Sequence, residues 1–309
     1  MLRPMAEAIT VRGLRKSYGD FEAVRGVDLE VAEGEVFALL GPNGAGKTTT
    51  VEILEGHRER SDGEVSVLGR DPAHADRAHR ARVGIVLQST GLNQYLTVAE
   101  TIELYRSFYP RPRQVDEVLD LVGLTEKRDE RVRKLSGGQQ RRLDVGIGLA
   151  GDPDLLFLDE PTTGFDPAAR RGAWEMVKGL RDLGKTIFLT THYMDEAQAL
   201  ADRVAIISAG QIVAEGPPAT LVGTTERVTL IRFRLPSAAP ALPEELSKDA
   251  RVSAAGIELR TEDPTPLLHE LTGWAIERGI ALDGLEVARP SLEDVYLELT
   301  RNTEGRASE

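Results

Sequence analysis

The sequence predicts an α/β fold: a mainly parallel sheet core with antiparallel strands before it and a small second α/β domain after it. Three observations carry this. Val36–Leu40 is apolar throughout and runs directly into a glycine-rich stretch and a helix-forming one, the pattern of a buried parallel strand feeding a helix. Strand-like segments Leu155–Asp159, Thr186–Thr190 and Val204–Ser208 then alternate with helix-like Pro167–Leu183 and Tyr193–Ala201. Beyond about Gly223 the composition shifts, with Pro and Ala concentrated in Pro236–Pro243, and none of the earlier motifs recurs.

Taken in order, residues 8–40 alternate apolar and polar positions, with turn signals at Gly13, Gly19–Asp20 and Glu33–Gly34, and predict short antiparallel strands. Arg77–Glu130 reads mostly helical, with Val115, Val118, Leu119 and Val122 on one face and a strand at Val83–Leu87 interrupting it. After the composition shift, strands are expected at Arg227–Leu235, Gly256–Thr261 and near Leu282–Ala288. Helices are expected at Pro264–Arg278 and Ser291–Thr300, and the polar end, Arg301–Glu309, should fray.

Composition narrows the function. Of 309 residues, 41% are hydrophobic and 28% charged, which suits a chain that buries a real core. A net charge of −12 and a pI near 5.1 argue against a primary grip on nucleic acid, which needs a basic face. With no cysteine, disulfides, thiol catalysis and thiolate metal sites are excluded, and the cytosol is a compatible setting. Apolar runs such as Val36–Leu40 and Leu155–Leu158 are far shorter than the roughly 18 residues a membrane-spanning helix requires. If the chain serves transport, the pore is expected on another chain.

Two motifs point to phosphate chemistry. Gly41-Pro42-Asn43-Gly44-Ala45-Gly46-Lys47-Thr48, followed by Thr49, matches the phosphate loop G-x-x-x-x-G-K-[ST] and lies between a strand and a helix, where that loop works. Its glycines let backbone N–H groups turn toward an anion that the helix N-terminus also attracts. Lys47 is expected to reach the β and γ phosphates, and Thr48 to place its hydroxyl on Mg²⁺. Leu155-Leu156-Phe157-Leu158-Asp159-Glu160 ends an apolar strand in two carboxylates, which need a cation or hydrogen-bond partner when buried. Asp159 fits a Mg²⁺ ligand, and Glu160 fits the group that polarises an attacking water.

A second anion grip follows from Leu135-Ser136-Gly137-Gly138-Gln139, which opens the helix-like Gln140–Ala150. An LSGGQ sequence between a phosphate loop and an LLFLDEPT strand resembles the ATP-binding cassette (ABC) ATPases. Over residues 8–222 the resemblance implies a P-loop ATPase domain with a parallel sheet core, an antiparallel β subdomain and a helical subdomain. An accessory domain at 223–300 and a flexible tail at 301–309 would follow. Residue by residue, it implies that Tyr18 stacks on adenine, that Gln88 touches Mg²⁺ and the attacking water, and that His192 is the switch contacting the γ phosphate. Gly164-Phe165-Asp166-Pro167 is similar to the family's loop joining two subunits, although Leu is more usual at position 165.

The resemblance further implies a homodimer around two ATP, with Ser136, Gly138 and Gln139 of one subunit closing on the nucleotide held by the other. Tyr95–Glu100, where a membrane partner would dock, and Pro290–Tyr296 resemble the daunorubicin and drug-resistance export group. The partner there is a separate ABC-2 type permease, and the chain would sit peripherally on the inner face of the membrane. Tyr95–Glu100 also reads simply as a helix start capped by Thr97 and Glu100. The alternatives are a soluble ABC ATPase acting on DNA or ribosomes, typically a tandem cassette or one with long insertions absent here, and a small-molecule kinase, which would not need LSGGQ.

Overall fold

The computed structural model describes residues 6–87, 91–223, 229–236, 239–247, 250–253, 256–289 and 292–296. The chain divides into two compact units, Met1–Pro218 and Ala219–Glu309.

The first unit opens with a long antiparallel hairpin, β1 (Glu7–Tyr18) and β2 (Phe21–Ala32), and β1 also pairs with β4 (Asp62–Val67). Gly13, expected at a turn, lies inside β1. Arg12 and Gly13 together face Asp28, so the strand bulges there, with Gly13 at φ +56° and its N–H donated to the Asp28 carboxylate at 2.7 Å. The strands are therefore longer than the turn signals suggested. Ile9, Val11, Leu14, Val24, Val27, Leu29 and Val31 all point into one core.

The central sheet has the order β5 (Val83–Val86), β6 (Leu155–Asp159), β7 (Thr186–Thr191), β3 (Val36–Leu40), β8 (Arg203–Ser208) and β9 (Gln211–Gly216). All its pairings are parallel except β8 with β9. Every residue of β3 and β7 is buried, which explains why β3 reads as an apolar run rather than as alternation. Leu40 pairs with Thr191 and Asp159 with Thr190, so the carboxyl ends of β3, β7 and β6 lie side by side. That edge is the usual ligand side of an open α/β sheet.

Helix α1 (Lys47–Leu54) follows β3 directly, and α2 (Arg77–Arg80) precedes β5. Between β5 and β6 lie α3 (Val98–Arg106), α4 (Val115–Leu121) and α5 (Gly137–Leu149), which pack on one another. The stretch 77–130 is thus less helical than its periodicity suggested. Much of it is turn and loop, and the strand within it stops at Val86. Helices α6 (Pro167–Asp182) and α7 (Met194–Leu200) flank β7, and α6 begins where the Asp166 carboxylate caps the N–H groups of Ala168 and Ala169 at 2.8 Å.

The second unit contains α8 (Pro218–Gly223), β10 (Thr229–Arg234), α9 (Glu244–Ser247), β11 (Ala250–Ser253), β12 (Gly256–Thr261), α10 (Pro264–Glu277) and β13 (Asp283–Ala288). Its four strands form an antiparallel sheet in the order β11-β12-β10-β13. Ile231, Phe233 and Leu259 pack with Leu271, Trp274 and Ala275 of α10. Residues 292–296 are helical, while the rest of the helix expected at 291–300 and the tail 301–309 lie outside the described residues.

Two glycines test the packing in opposite directions. A Cβ on Gly84 of β5 would stand 2.4 Å from the Gly148 carbonyl oxygen of α5, whereas one on Gly179, exposed in α6, meets nothing within 4 Å. Gly84→Ala should lower stability by about 1–3 kcal/mol, because backbone must move. Gly179→Ala should raise it by roughly 0.5–1 kcal/mol, because a helix interior favours Ala over Gly. Thermal melts of both variants check the pair.

Candidate functional site

The turn from β3 into α1 is shaped by close approach. A Cβ on Gly41 would lie 2.4 Å from the Ile207 carbonyl oxygen, and one on Gly46, at φ +104°, would lie 2.7 Å from that of Ala23. Only glycine fits these positions, so the loop must wrap tightly between β2 and β8. Lys47 is 4% exposed and folds back into this loop, donating from Nζ to the carbonyls of Gly41 at 2.7 Å and Pro42 at 3.1 Å. The same ammonium stands 3.7 Å from Glu160 Oε1. Burial pushes its pKa down, opposed by the Glu160 and Asp159 charges.

Asp159 and Glu160 leave the end of β6. Thr190 Oγ1 donates to Asp159 Oδ1 at 2.5 Å and accepts the Glu160 N–H at 3.1 Å. Thr163 Oγ1 donates to Glu160 Oε2 at 3.0 Å. His192 Nδ1 lies 3.2 Å from Glu160 Oε1, close enough for an ion pair but not aligned as a hydrogen bond. Burial pushes the Glu160 carboxyl up, yet His192, Thr163 and Lys47 together hold it below the usual carboxylate range. Glu160 also adopts φ +44°, a left-handed backbone that costs a non-glycine residue about 1–2 kcal/mol.

A cavity of about 660 Å³ is lined by Pro42, Asn43, Gly44, Gly46, Lys47, Thr48, Thr49, Asp159 and Glu160, with Tyr18 at its rim. The structure therefore brings the phosphate loop, the two carboxylates and the aromatic ring to one place. Ala45 turns its methyl into the core instead. Gln88 lies outside the described residues.

Ser136 and Gly138 line a different cavity, of about 630 Å³, with Asp166, Thr163 and Glu160. Ser136 Oγ accepts the Gln139 N–H at 3.3 Å and Gln139 Oε1 accepts the Ser136 N–H at 3.0 Å, a reciprocal cap on α5. The two anion grips of one chain thus open into separate cavities, and Glu160 touches both.

The ABC transporter family profile matches residues 24–163, and an ABC transporter-like C-terminal domain profile matches 229–291. Daunorubicin resistance ATP-binding protein DrrA3 of Streptomyces coeruleorubidus is 37% identical over 306 residues, covering 95% of this chain and 96% of its own. The chain belongs to the ABC transporter ATP-binding proteins. Nod factor export ATP-binding protein I of Ralstonia nicotianae is 40% identical, over 94% of this chain and 93% of that protein. Among solved structures, the ADP conformation of an ABC transporter cassette superposes with a TM-score of 0.62 at 25% identity, covering 69% of this chain and 91% of its own. A dimeric post-hydrolysis cassette bound to ADP and phosphate gives 0.60 at 26%, over 68% and 98%. The chain is accordingly an ATP-binding and ATP-hydrolysing subunit of an ABC transporter.

This ABC ATPase has site residues that its motifs do not mark. Phe21 and Arg58 join Tyr18 at the loop cavity, and the Arg58 guanidinium and Lys16 ammonium stand 5.4 and 5.2 Å from the Tyr18 ring centre. Thr190 bonds both carboxylate residues, and no motif spacing marks contacts of this kind. Glu196, fully buried, accepts from Thr162 Oγ1 at 2.7 Å and Trp174 Nε1 at 3.3 Å.

Glu55, at the end of α1, has a side chain 3% exposed, with His57 Nδ1 3.2 Å away. Burial, then the Asp159 and Glu52 charges, pushes its carboxyl from 4.5 up to about 8. The folded chain then binds more protons than the unfolded one between these values, so this group removes stability as pH rises from about 4.5 to 8, with no further loss above. Glu55→Gln cannot ionise. Its stability should gain on wild type across that window, by about 2 kcal/mol or more between pH 5 and 8.5. Parallel melts at the two pH values check this, and an unchanging gap would count against it.

Proposed function

We propose that this chain is the nucleotide-driven half of an exporter. It would dimerise around two ATP at the membrane surface and drive a separate ABC-2 type permease that carries a drug-like or lipid-like substrate. The observation that supports this reading best is the division of the site: the phosphate loop and the LSGGQ turn of one chain open into separate cavities. Two chains facing head to tail would complete two sites, each with a phosphate loop from one and a signature turn from the other. The names of its relatives, daunorubicin resistance and Nod factor export, support the transport class. Among the described residues no helix is long and apolar enough to cross a membrane. A peripheral place on the inner face of the membrane fits this reading.

In the proposed reaction the loop N–H groups and Lys47 bind the β and γ phosphates, and Tyr18 stacks on the base. Thr48 and Asp159 line one cavity and supply the hydroxyl and carboxylate oxygens that suit Mg²⁺, so the residues present fit that ion. Gln88 would complete its set. When bound, the ion would neutralise phosphate charge. Glu160, held ionised beside Lys47 and His192, accepts a proton from the attacking water. His192, 3.2 Å from Glu160, would contact the γ phosphate and report its presence. Ser136, Gly138 and Gln139 grip that phosphate from the opposite subunit and so favour the closed pair only when ATP is present. Residues 223–300 would form the accessory domain that stabilises or regulates assembly.

Glu160→Gln should leave the ATP dissociation constant within about twofold while turnover falls about 10²- to 10⁴-fold, because only proton acceptance is lost. Lys47→Ala should instead weaken ATP binding about 10- to 100-fold through loss of charge-assisted hydrogen bonds. Purified with ATP from gently solubilised membranes of its host, the Glu160→Gln protein should bring down a multi-span membrane protein in equal amount. Recovery with ribosomes or DNA-bound proteins would refute the export reading.

A further inference from the structure

We propose that Arg141 is the positioning residue that aims Glu160, and that it links this aim to the helix bearing the signature turn. The inference rests on the reading of Glu160 as the water-activating carboxylate.

Arg141 lies one helical turn after the start of α5 and is only 8% exposed. A buried guanidinium is costly unless its donors are satisfied. Its nearest carboxylate, Asp144, is 4.0 Å away on the same helix, and its hydrogen bonds go instead to three backbone carbonyls. Nη2 donates to Asp159 O at 2.7 Å, Nε donates to Pro161 O at 3.3 Å, and Nη1 donates to Leu87 O. Burial pushes the Arg141 pKa down against the charges of Asp144, Asp159 and Glu196.

Asp159 and Pro161 are the residues on either side of Glu160, the one with the left-handed backbone. Such a conformation persists where its surroundings over-determine it. Here the planar fork of one arginine grips the carbonyl before the turn and the carbonyl after it, while Thr190 holds the Glu160 N–H between them at 3.1 Å. Just downstream, Thr162 is anchored on Glu196. With backbone fixed on both sides, the Cα–Cβ bond of Glu160 has one direction, and its carboxylate is placed from there by Lys47 and Thr163. The third bond reaches Leu87, just past the end of β5, and α5 itself starts at the Ser136 cap. A displacement of α5 therefore pulls on the Glu160 turn through one side chain. Lysine cannot substitute, because one ammonium on a flexible stem does not reproduce a rigid fork that spans these carbonyls.

The test compares Arg141→Lys and Arg141→Met with wild type in the full chain, by equilibrium ATP binding, kcat and KM. A positioning role predicts kcat reduced tenfold or more, an ATP dissociation constant within about twofold of wild type, and no rescue by Lys. In a Glu160→Gln background the same Arg141→Lys change should cause no further loss in single-turnover hydrolysis. Wild-type kcat in Arg141→Lys, or an equal loss in both backgrounds, overturns the proposal. Full activity of Glu160→Gln alone would instead remove the reading on which it rests. Should both Arg141 variants fail to fold, Arg141→Gln keeps amide donors for one carbonyl but cannot span both. Reduced kcat with retained ATP binding supports the pinned turn, and unchanged kcat overturns it.

Discussion

Two carboxylates stand side by side at the inner end of an apolar strand, and the surrounding structure answers that concentration of buried charge. Asp159 accepts from the Thr190 hydroxyl, and Glu160 stands among Lys47, His192 and Thr163. Lys47 is held in place by the loop carbonyls of Gly41 and Pro42, so phosphate loop and carboxylate strand constrain each other. A third acid, Glu55, is pushed up to about 8 by its burial and by Asp159, which limits the negative charge the cluster carries at neutral pH. Parallel pairing of β3, β7 and β6 makes this possible, because it places the ends of three strands within reach of one another.

The same strand end also separates two jobs. Glu160 lines both the loop cavity and the cavity beneath the signature turn. On the proposed function, a single chain would carry a nucleotide-binding half and a nucleotide-capping half, which open into different cavities. In a head-to-tail pair of such chains, this division would convert phosphate binding into a force between chains. Nucleotide affinity alone would not do so, because only contacts that differ between open and closed states shift their balance.

Much of this was legible in the sequence wherever function depends on consecutive residues. The phosphate loop, the LLFLDE strand and LSGGQ each combine composition with a required strand or helix boundary, and β3 and β6 announced themselves as apolar runs. Strands β4 and β9 escaped notice because Asp62–Val67 and Gln211–Gly216 are short, half polar and only partly buried. Gly13 was misread because a bulge and a turn demand the same backbone freedom. Arg141 stands in the polar run Gln139-Gln140-Arg141-Arg142, which reads as a solvated face. Its spacing from Val145 and Gly148 on the buried side of α5 was the available signal, but which side of a helix faces inward is decided by tertiary packing. Thr190 and Glu196 were beyond sequence reading for the same reason, since their partners lie about 30 residues away.

If a complete site needs two chains, the absence of cysteine from this sequence makes that need directly measurable. Chains carrying Asn43→Cys and chains carrying Ser136→Cys, each with Glu160→Gln, would be mixed with ATP and treated with a short thiol cross-linker. The account predicts a cross-link between the two kinds of chain that forms with ATP and not without it. Failure of the mixed chains to cross-link with ATP bound, or a cross-link within single chains carrying both cysteines at high dilution, would contradict it.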